Sequence, residues 1–430
     1  MNNSRPLKVA LVCHSDRLGG AAVVTYRLMQ ALRAEGVDAR MVVFTRLSSP
    51  LDTEVSLLMP RWKRAWKFMA ERALIFARNG FDRSNVFTVS TASHGMPLHR
   101  HPWIQEADVI NLNWINQGVV SLKGLRKLNE LGKPVVWTMH DMWCMTGICH
   151  HAHSCRRYEG ECGCCPLIKD GASENDLSHR TWLRKRALYD ASHMRFVAVS
   201  NWLAGCAARS SLLGNTPVEV IPNAFPVESF PTEPYPNFPA FEPMGNRRRI
   251  IMGAARLDDP IKGLDVAVEA LNIIFDEHPD LAHSTGMIFF GDIRDRSIFD
   301  KLRFSYMYMG RVTDPRLLRQ YYASSDVVIS ASQFETLPGT LIEGQAAGAL
   351  PVTFGNGGQG DIVTHKVNGY IAAERTPRAL ADGIIWALNQ QQDRQALHDG
   401  VAQRFSADVV ARRYIDLYQS MLSARAGKGE

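Results

Sequence analysis

The sequence predicts an α/β protein built from two doubly wound domains. Three observations lead there. Short, continuously apolar runs of strand length alternate with helical stretches along the chain, the pattern of parallel strands covered by helices on both faces. Near the middle, IPNAFPVESFPTEPYPNFPAFEPMG (residues 221–245) carries proline too densely for a long helix or a central strand. It reads as a linker held toward extended conformations. At 430 residues the chain is long enough for a core on either side of it.

Taken in order, Leu7–Cys13 (LKVALVC) reads as the first buried strand. The loop HSDRLGG follows, and Gly19 and Gly20 open a helix reaching about Glu35. Glycine lets a backbone approach a ligand closely, and a helix start attracts negative charge, so Gly20 is a candidate phosphate contact. An ordinary tight turn is the alternative; the dinucleotide fingerprint G-x-G-x-x-G is absent. Val37–Phe44 is the second strand. Pro60–Arg83 differs in character. Trp62, Trp66, Met69, Ala73 and Phe76 follow helical spacing, and Arg61, Lys63, Arg64, Lys67, Arg72 and Arg78 crowd the remainder. Such a helix either packs its apolar stripe on the domain or lies against an anionic membrane or an acceptor.

Ala107–Leu112 is another buried strand, ending in NWIN. Pro134–Met139 runs straight into His140 and Asp141. A histidine at the end of a central strand either bonds within the core or faces a ligand hydroxyl. Six of the eight cysteines then fall within 144–165. Cys149, Cys155, Cys162 and Cys165 form the C-x5-C-x6-C-x2-C pattern expected to hold a structural zinc, with Cys144, Cys164, His150, His151 and His153 nearby. Disulfides and free thiols are the alternatives. Arg195–Ser200 and Val218–Ile221 complete the first half.

The second half begins with RRIIMGAA and repeats the alternation. Arg256 and Lys262 lie in the loop between its first strand and an amphipathic helix, and two cations at a strand's carboxyl end suit an anion. The strand VVIS then leads to ASQFETLPGTLIEGQAAGA. Thr340–Ala347 has helical composition, and Gly348 is its stop. Glu335 falls in the loop and Glu343 about a turn into the helix. Leu337, Gly339 and Thr340 supply amides near the helix start, where N–H groups lack intrahelical partners. Phosphate donors beside two carboxylates suit a diphosphate bearing polyhydroxylated groups.

This set, Arg256, Lys262-Gly263, Glu335-x7-Glu343 and Gly357-Gly358, resembles the nucleotide-sugar half of glycosyltransferase family 4, and the likeness runs along nearly the whole chain. The Cys-rich loop is similar to that of colanic-acid and exopolysaccharide glycosyltransferases. The resemblance implies the GT-B fold, with two Rossmann-like domains facing a deep cleft. It divides the chain into an acceptor-side domain (1–222), a linker (223–247), a donor domain (248–405) and a terminal helix (406–430) returning to the first domain. It implies retaining transfer from a nucleotide-diphosphate sugar to a saccharide or lipid-linked saccharide, without a catalytic metal. Arg256 and Lys262 would then meet the diphosphate, Glu343 the ribose, and Glu335 and His140 the transferred sugar. Two features depart from the family pattern: Ala224 replaces the Gly of Pro-Asn-Gly, and Asp361 stands where Glu is usual. A sugar-nucleotide epimerase and a non-catalytic zinc-braced binding module are the rival readings.

Bulk properties limit the other classes. The net charge of +6 permits phosphate or anionic membrane surfaces, and no nucleic-acid motif or internal repeat is present. No run approaches about 18 apolar residues, and the N-terminal run has no signal-like end. The expected location is cytoplasmic, peripheral to the inner membrane face if the helix at 60–83 docks there.

Overall fold

In the computed structural model, residues 5–58, 60–233, 239–245 and 247–426 are described. The chain divides into two compact units, residues 1–224 with 407–430, and residues 225–406.

The first unit holds a parallel sheet in the order β3-β2-β1-β4-β5-β6-β7. Its strands are β1 (Lys8–Ser15), β2 (Asp38–Thr45), β3 (Val55–Leu57), β4 (Val109–Leu112), β5 (Val135–Met139), β6 (Arg195–Ala198) and β7 (Val218–Val220). β4 and β5 are buried along their whole length, which is why they read as unbroken apolar runs. The helix Ala407–Ala426 belongs to this unit and buries Val410, Ala411, Tyr414, Leu417 and Tyr418. Below β4 and β5 it also supplies a buried polar network. Asn111 Nδ2 donates to the Tyr418 hydroxyl at 2.6 Å, Thr138 Oγ1 donates to Asn111 Oδ1 at 3.1 Å, and Thr138 shares a 3.0 Å bond with the Tyr414 hydroxyl. The return of the C-terminal helix, expected from 406 onward, is thus built from named bonds as well as apolar packing; residues 427–430 lie outside the described residues.

The second unit holds β8 (Arg248–Arg256), β9 (Thr285–Asp292), β10 (Tyr306–Tyr308), β11 (Val327–Ser330), β12 (Leu350–Phe354) and β13 (Tyr370–Ala372). They form a parallel sheet in the order β10-β9-β8-β11-β12-β13. In both sheets the chain order therefore reverses beside the first strand, between β1 and β4 and between β8 and β11. Such reversal points open a crevice at the carboxyl ends of the strands, because consecutive helices leave to opposite faces.

Two expectations change on inspection. The Pro-rich segment is no free linker in its described part. Val227, Phe230 and Phe241 are buried in the second unit, with Phe230 against Tyr322 and Phe241 against Tyr321. Its aromatic residues supply the apolar area that holds it down; residues 234–238 and 246 lie outside the described residues. The helix Arg61–Arg78 forms as expected, but Arg72 is not on a solvated face. It is buried beside Glu71 at 3.1 Å and donates to the carbonyls of Val86 and Val89. Glu71 accepts from the Thr91 and Ala92 amides at 2.9 and 2.8 Å. Trp62, Trp66 and Met69 face outward. No helix among the described residues is long and apolar enough to cross a membrane.

Candidate functional site

In the second unit three loops meet at the reversal point. The loop after β8 ends in Lys262-Gly263, and its Ile261 carbonyl accepts from the Gln333 amide at 2.6 Å. Gly263 has φ +68°, and a Cβ there would stand 2.2 Å from the Ala331 carbonyl oxygen. Only glycine lets these two loops approach so closely. The loop after β12 closes on the same place: the Gly358 amide donates to the Glu335 carbonyl at 2.8 Å, and a Cβ on Gly357 would meet that oxygen at 2.2 Å.

These contacts bring Lys262 Nζ to 2.6 Å from Glu335 Oε1, with both side chains partly exposed. The helix Gly339–Ala346 begins just beyond, after Pro338, and Gly348, with φ +82°, follows its C-cap Ala347. Glu343 lies one turn inside it and is buried. Leu337 is buried, so it offers its backbone rather than its side chain; Gly339 and Thr340 sit in the helix's first turn, half-buried. Arg256 stands at the carboxyl end of β8 but is ion-paired with Asp258 at 3.1 Å, apart from the Lys262–Glu335 pair. Arg256 ends β8, Lys262 and Glu335 lie in the loops after β8 and β11, and Glu343 follows one turn into the next helix; of these, Lys262 and Glu335 are brought together.

In the first unit Gly19 and Gly20 lie exposed between β1 and the helix Gly20–Ala34, and a Cβ on either meets nothing within 4 Å. The start of this helix is open to an incoming group. His140 follows β5. Its Nε2 bonds Asn113 Oδ1, at the end of β4, at 3.0 Å, and Asn113 Nδ2 in turn donates to Asn111. Burial lowers the His140 pKa to about 4, with Asp141 opposing, so the ring is neutral at pH 7. Asp141 has a different part. It accepts from Trp114 Nε1 at 2.8 Å, His150 Nδ1 at 2.7 Å and the Trp143 amide at 2.9 Å. Burial raises its pKa, but His150 and these donors outweigh burial, so the net shift is downward. Asp141 orients the loop. Asn113 is the residue that sequence reasoning missed; a polar side chain ending a buried strand at the reversal point was its signal. Asp16 is another: it is fully buried after β1 and accepts from the Leu47 and Ser48 amides, each at 2.8 Å.

The four cysteines named for zinc, Cys149, Cys155, Cys162 and Cys165, line one cavity of about 20 Å³. All eight cysteines are free thiols. Burial pushes Cys149 up to about 12 and Cys165 up to about 11. Among the described residues no group of three or more His, Cys, Asp or Glu is arranged to hold a metal ion. The His150 ring is held by Asp141 at Nδ1 and by Ser90 at Nε2.

Comparison with known proteins bears on the family and the fold. The family described as Glycosyltransferase Family 4 matches residues 18–229, and Glycosyl transferases group 1 matches residues 248–390. A D-inositol 3-phosphate glycosyltransferase of Jonesia denitrificans is 28% identical over 182 residues, 40% of this chain and 42% of that protein. A glycogen synthase of Thermodesulfovibrio yellowstonii is 24% identical over 174 residues, 39% of this chain and 34% of the relative. The alignments thus span less than half the length of these relatives. Among solved structures, Anabaena Alr3699/HepE in complex with UDP and glucose superposes with a TM-score of 0.61 at 18% identity, over 96% of this chain and all of that one. Sucrose-phosphate synthase of Thermosynechococcus elongatus gives 0.61 at 15%, over 97% of this chain and all of that one. With one family match on each half of the chain, and the fold shared with GT-B structures, this chain belongs to the family 4 type of glycosyltransferases.

Proposed function

We propose that this protein transfers a sugar, with retention of configuration, from a nucleotide-diphosphate sugar to a saccharide or lipid-linked saccharide of the cell surface. The observation that carries the reading is the Lys262–Glu335 pair at the β8–β11 reversal point, with Glu343 one turn into the adjacent helix. HepE was solved with UDP and with UDP-glucose, which favours the same donor class here. In this reading Lys262 and Arg256 take the diphosphate, with amides at the start of the helix Gly339–Ala346. Negative charge grows on the leaving phosphate as the glycosidic bond breaks. Cations held there in advance act mainly on the transition state, each worth roughly 3 kcal/mol. Glu343 accepts from the ribose and Glu335 from hydroxyls of the transferred sugar. His140, neutral at pH 7, hydrogen-bonds a sugar hydroxyl rather than acting as a cation.

The test is release of free nucleoside diphosphate from a panel of nucleotide sugars. Release that requires a saccharide acceptor supports transfer. Release without acceptor, or conversion of one nucleotide sugar into another, contradicts it.

A further inference from the structure

The helix Arg61–Arg78 is seated through Glu71, Arg72 and Ile75, with Phe76 packed on the same apolar cluster, and leaves Trp62, Trp66 and Met69 outward. Trp62, Trp66 and Met69 are 70%, 66% and 58% exposed. Their spacing of four and three residues places them along one stripe. Single exposed apolar residues are ordinary; a contiguous stripe with two tryptophans calls for a partner. Beside it runs a groove of about 390 Å³, lined by both tryptophans, by Lys63 and Lys67 of the same helix, and by Lys123 and Lys127 of the helix Leu122–Asn129. None of the groove's lining residues is acidic. Among the described residues no carboxylate lies within salt-bridge distance of any of these four lysines.

We propose that this face docks on an anionic bilayer surface, with the tryptophans at headgroup depth and the four lysines over the anionic lipids. Charge and shape favour this occupant together. Indole rings settle at a membrane interface, where one side is apolar and the other wet. Lysine stems cover apolar surface while the ammonium groups reach the headgroups. A soluble acidic partner would use the lysines but has no need of an outward tryptophan stripe. The helix lies on the surface and does not cross it, since no helix among the described residues meets the requirement for crossing.

The experiment is flotation of the full chain with vesicles of phosphatidylcholine alone and of phosphatidylcholine with phosphatidylglycerol. The wild type is expected to float with the anionic vesicles, less so as salt is raised. Trp62→Ser with Trp66→Ser should lower the bound fraction at least tenfold. Lys123→Ser and Lys127→Ser should each lower it roughly fivefold. Melting curves of these surface variants should overlay the wild type, which separates lost docking from lost fold. Three results would overturn the proposal: no flotation, equal flotation with phosphatidylcholine alone, or tryptophan variants that float like the wild type. Displacement by a soluble polyanion that ignores the tryptophan changes would also overturn it. The assay uses no nucleotide sugar and no acceptor, so its outcome is independent of the transferase reading.

Discussion

Lys262 and Glu335 lie 73 positions apart in the chain and meet at 2.6 Å across the line where the second sheet reverses its strand order. The pair couples the two halves of the proposed donor site. Glu335 pairs with the ammonium group that the proposed function assigns to the diphosphate. Glu335→Gln removes that competitor. Titration calorimetry should show nucleoside diphosphate binding unchanged or several-fold tighter, while turnover falls because an amide oxygen accepts more weakly than a carboxylate. Weaker diphosphate binding with full turnover would show that the two side chains have other roles.

The C-terminal helix carries a separate prediction. Tyr418→Phe deletes the acceptor for Asn111 Nδ2 inside the first unit, where both groups are fully buried. Leaving a buried amide unsatisfied costs about 1–3 kcal/mol. Denaturant titration should record a loss in that range. A change too small to measure would mean that the helix Ala407–Ala426 is held by its apolar side chains alone.

The histidines set a pH response. Burial lowers His14, His140 and His151 to about 4 each, from an ordinary value near 6.5; Arg64 adds to the effect at His14 and His153 at His151. The unfolded chain therefore takes up these protons first as pH falls. Their stabilising contribution is complete above about pH 6.5 and is lost progressively toward pH 4, each with a slope of at most about 1.4 kcal/mol per pH unit. Unfolding midpoints should fall through that window, less steeply in His140→Gln. A flat profile between those limits would contradict the burial of neutral imidazoles.

Structural zinc at Cys149, Cys155, Cys162 and Cys165 is a proposal with its own requirement. The four side chains line one cavity but must turn inward together to become ligands. A tetrathiolate site there would place net negative charge near Lys185. That lysine is fully buried and bonded to the Trp143 and Thr146 carbonyls at 2.5 and 3.0 Å. Elemental analysis should find one zinc per chain, and chelation should lower the melting temperature, because metal binding is linked to folding. Zinc well below one per chain would end the proposal.

Much of this was legible in the sequence because buried parallel strands announce themselves. β4, β5, β11 and β12 are buried end to end and read as continuous apolar runs. The loops after β8 and β11 were readable for a similar reason: charged residues directly after such strands must face the strand ends. What escaped had physical causes. β3 and β13 are three-residue strands at sheet edges, too short for any period to show. The seating of the helix Arg61–Arg78 was inverted in part, because periodicity gives a stripe but not its direction. Glu71 and Arg72 go inward since backbone groups of residues 86–92 satisfy them. Asn113 became visible only when β4 and β5 were seen side by side.

The most direct measurement is turnover and thermal stability of Lys262→Ala side by side. The half-exposed ion pair is worth no more than about 1 kcal/mol to the fold, so the melting temperature should barely move. Sugar transfer should fall by roughly two orders of magnitude, as expected for the loss of a cation that stabilises the departing phosphate. Transfer within a few-fold of wild type would contradict the assignment of the donor diphosphate to this loop.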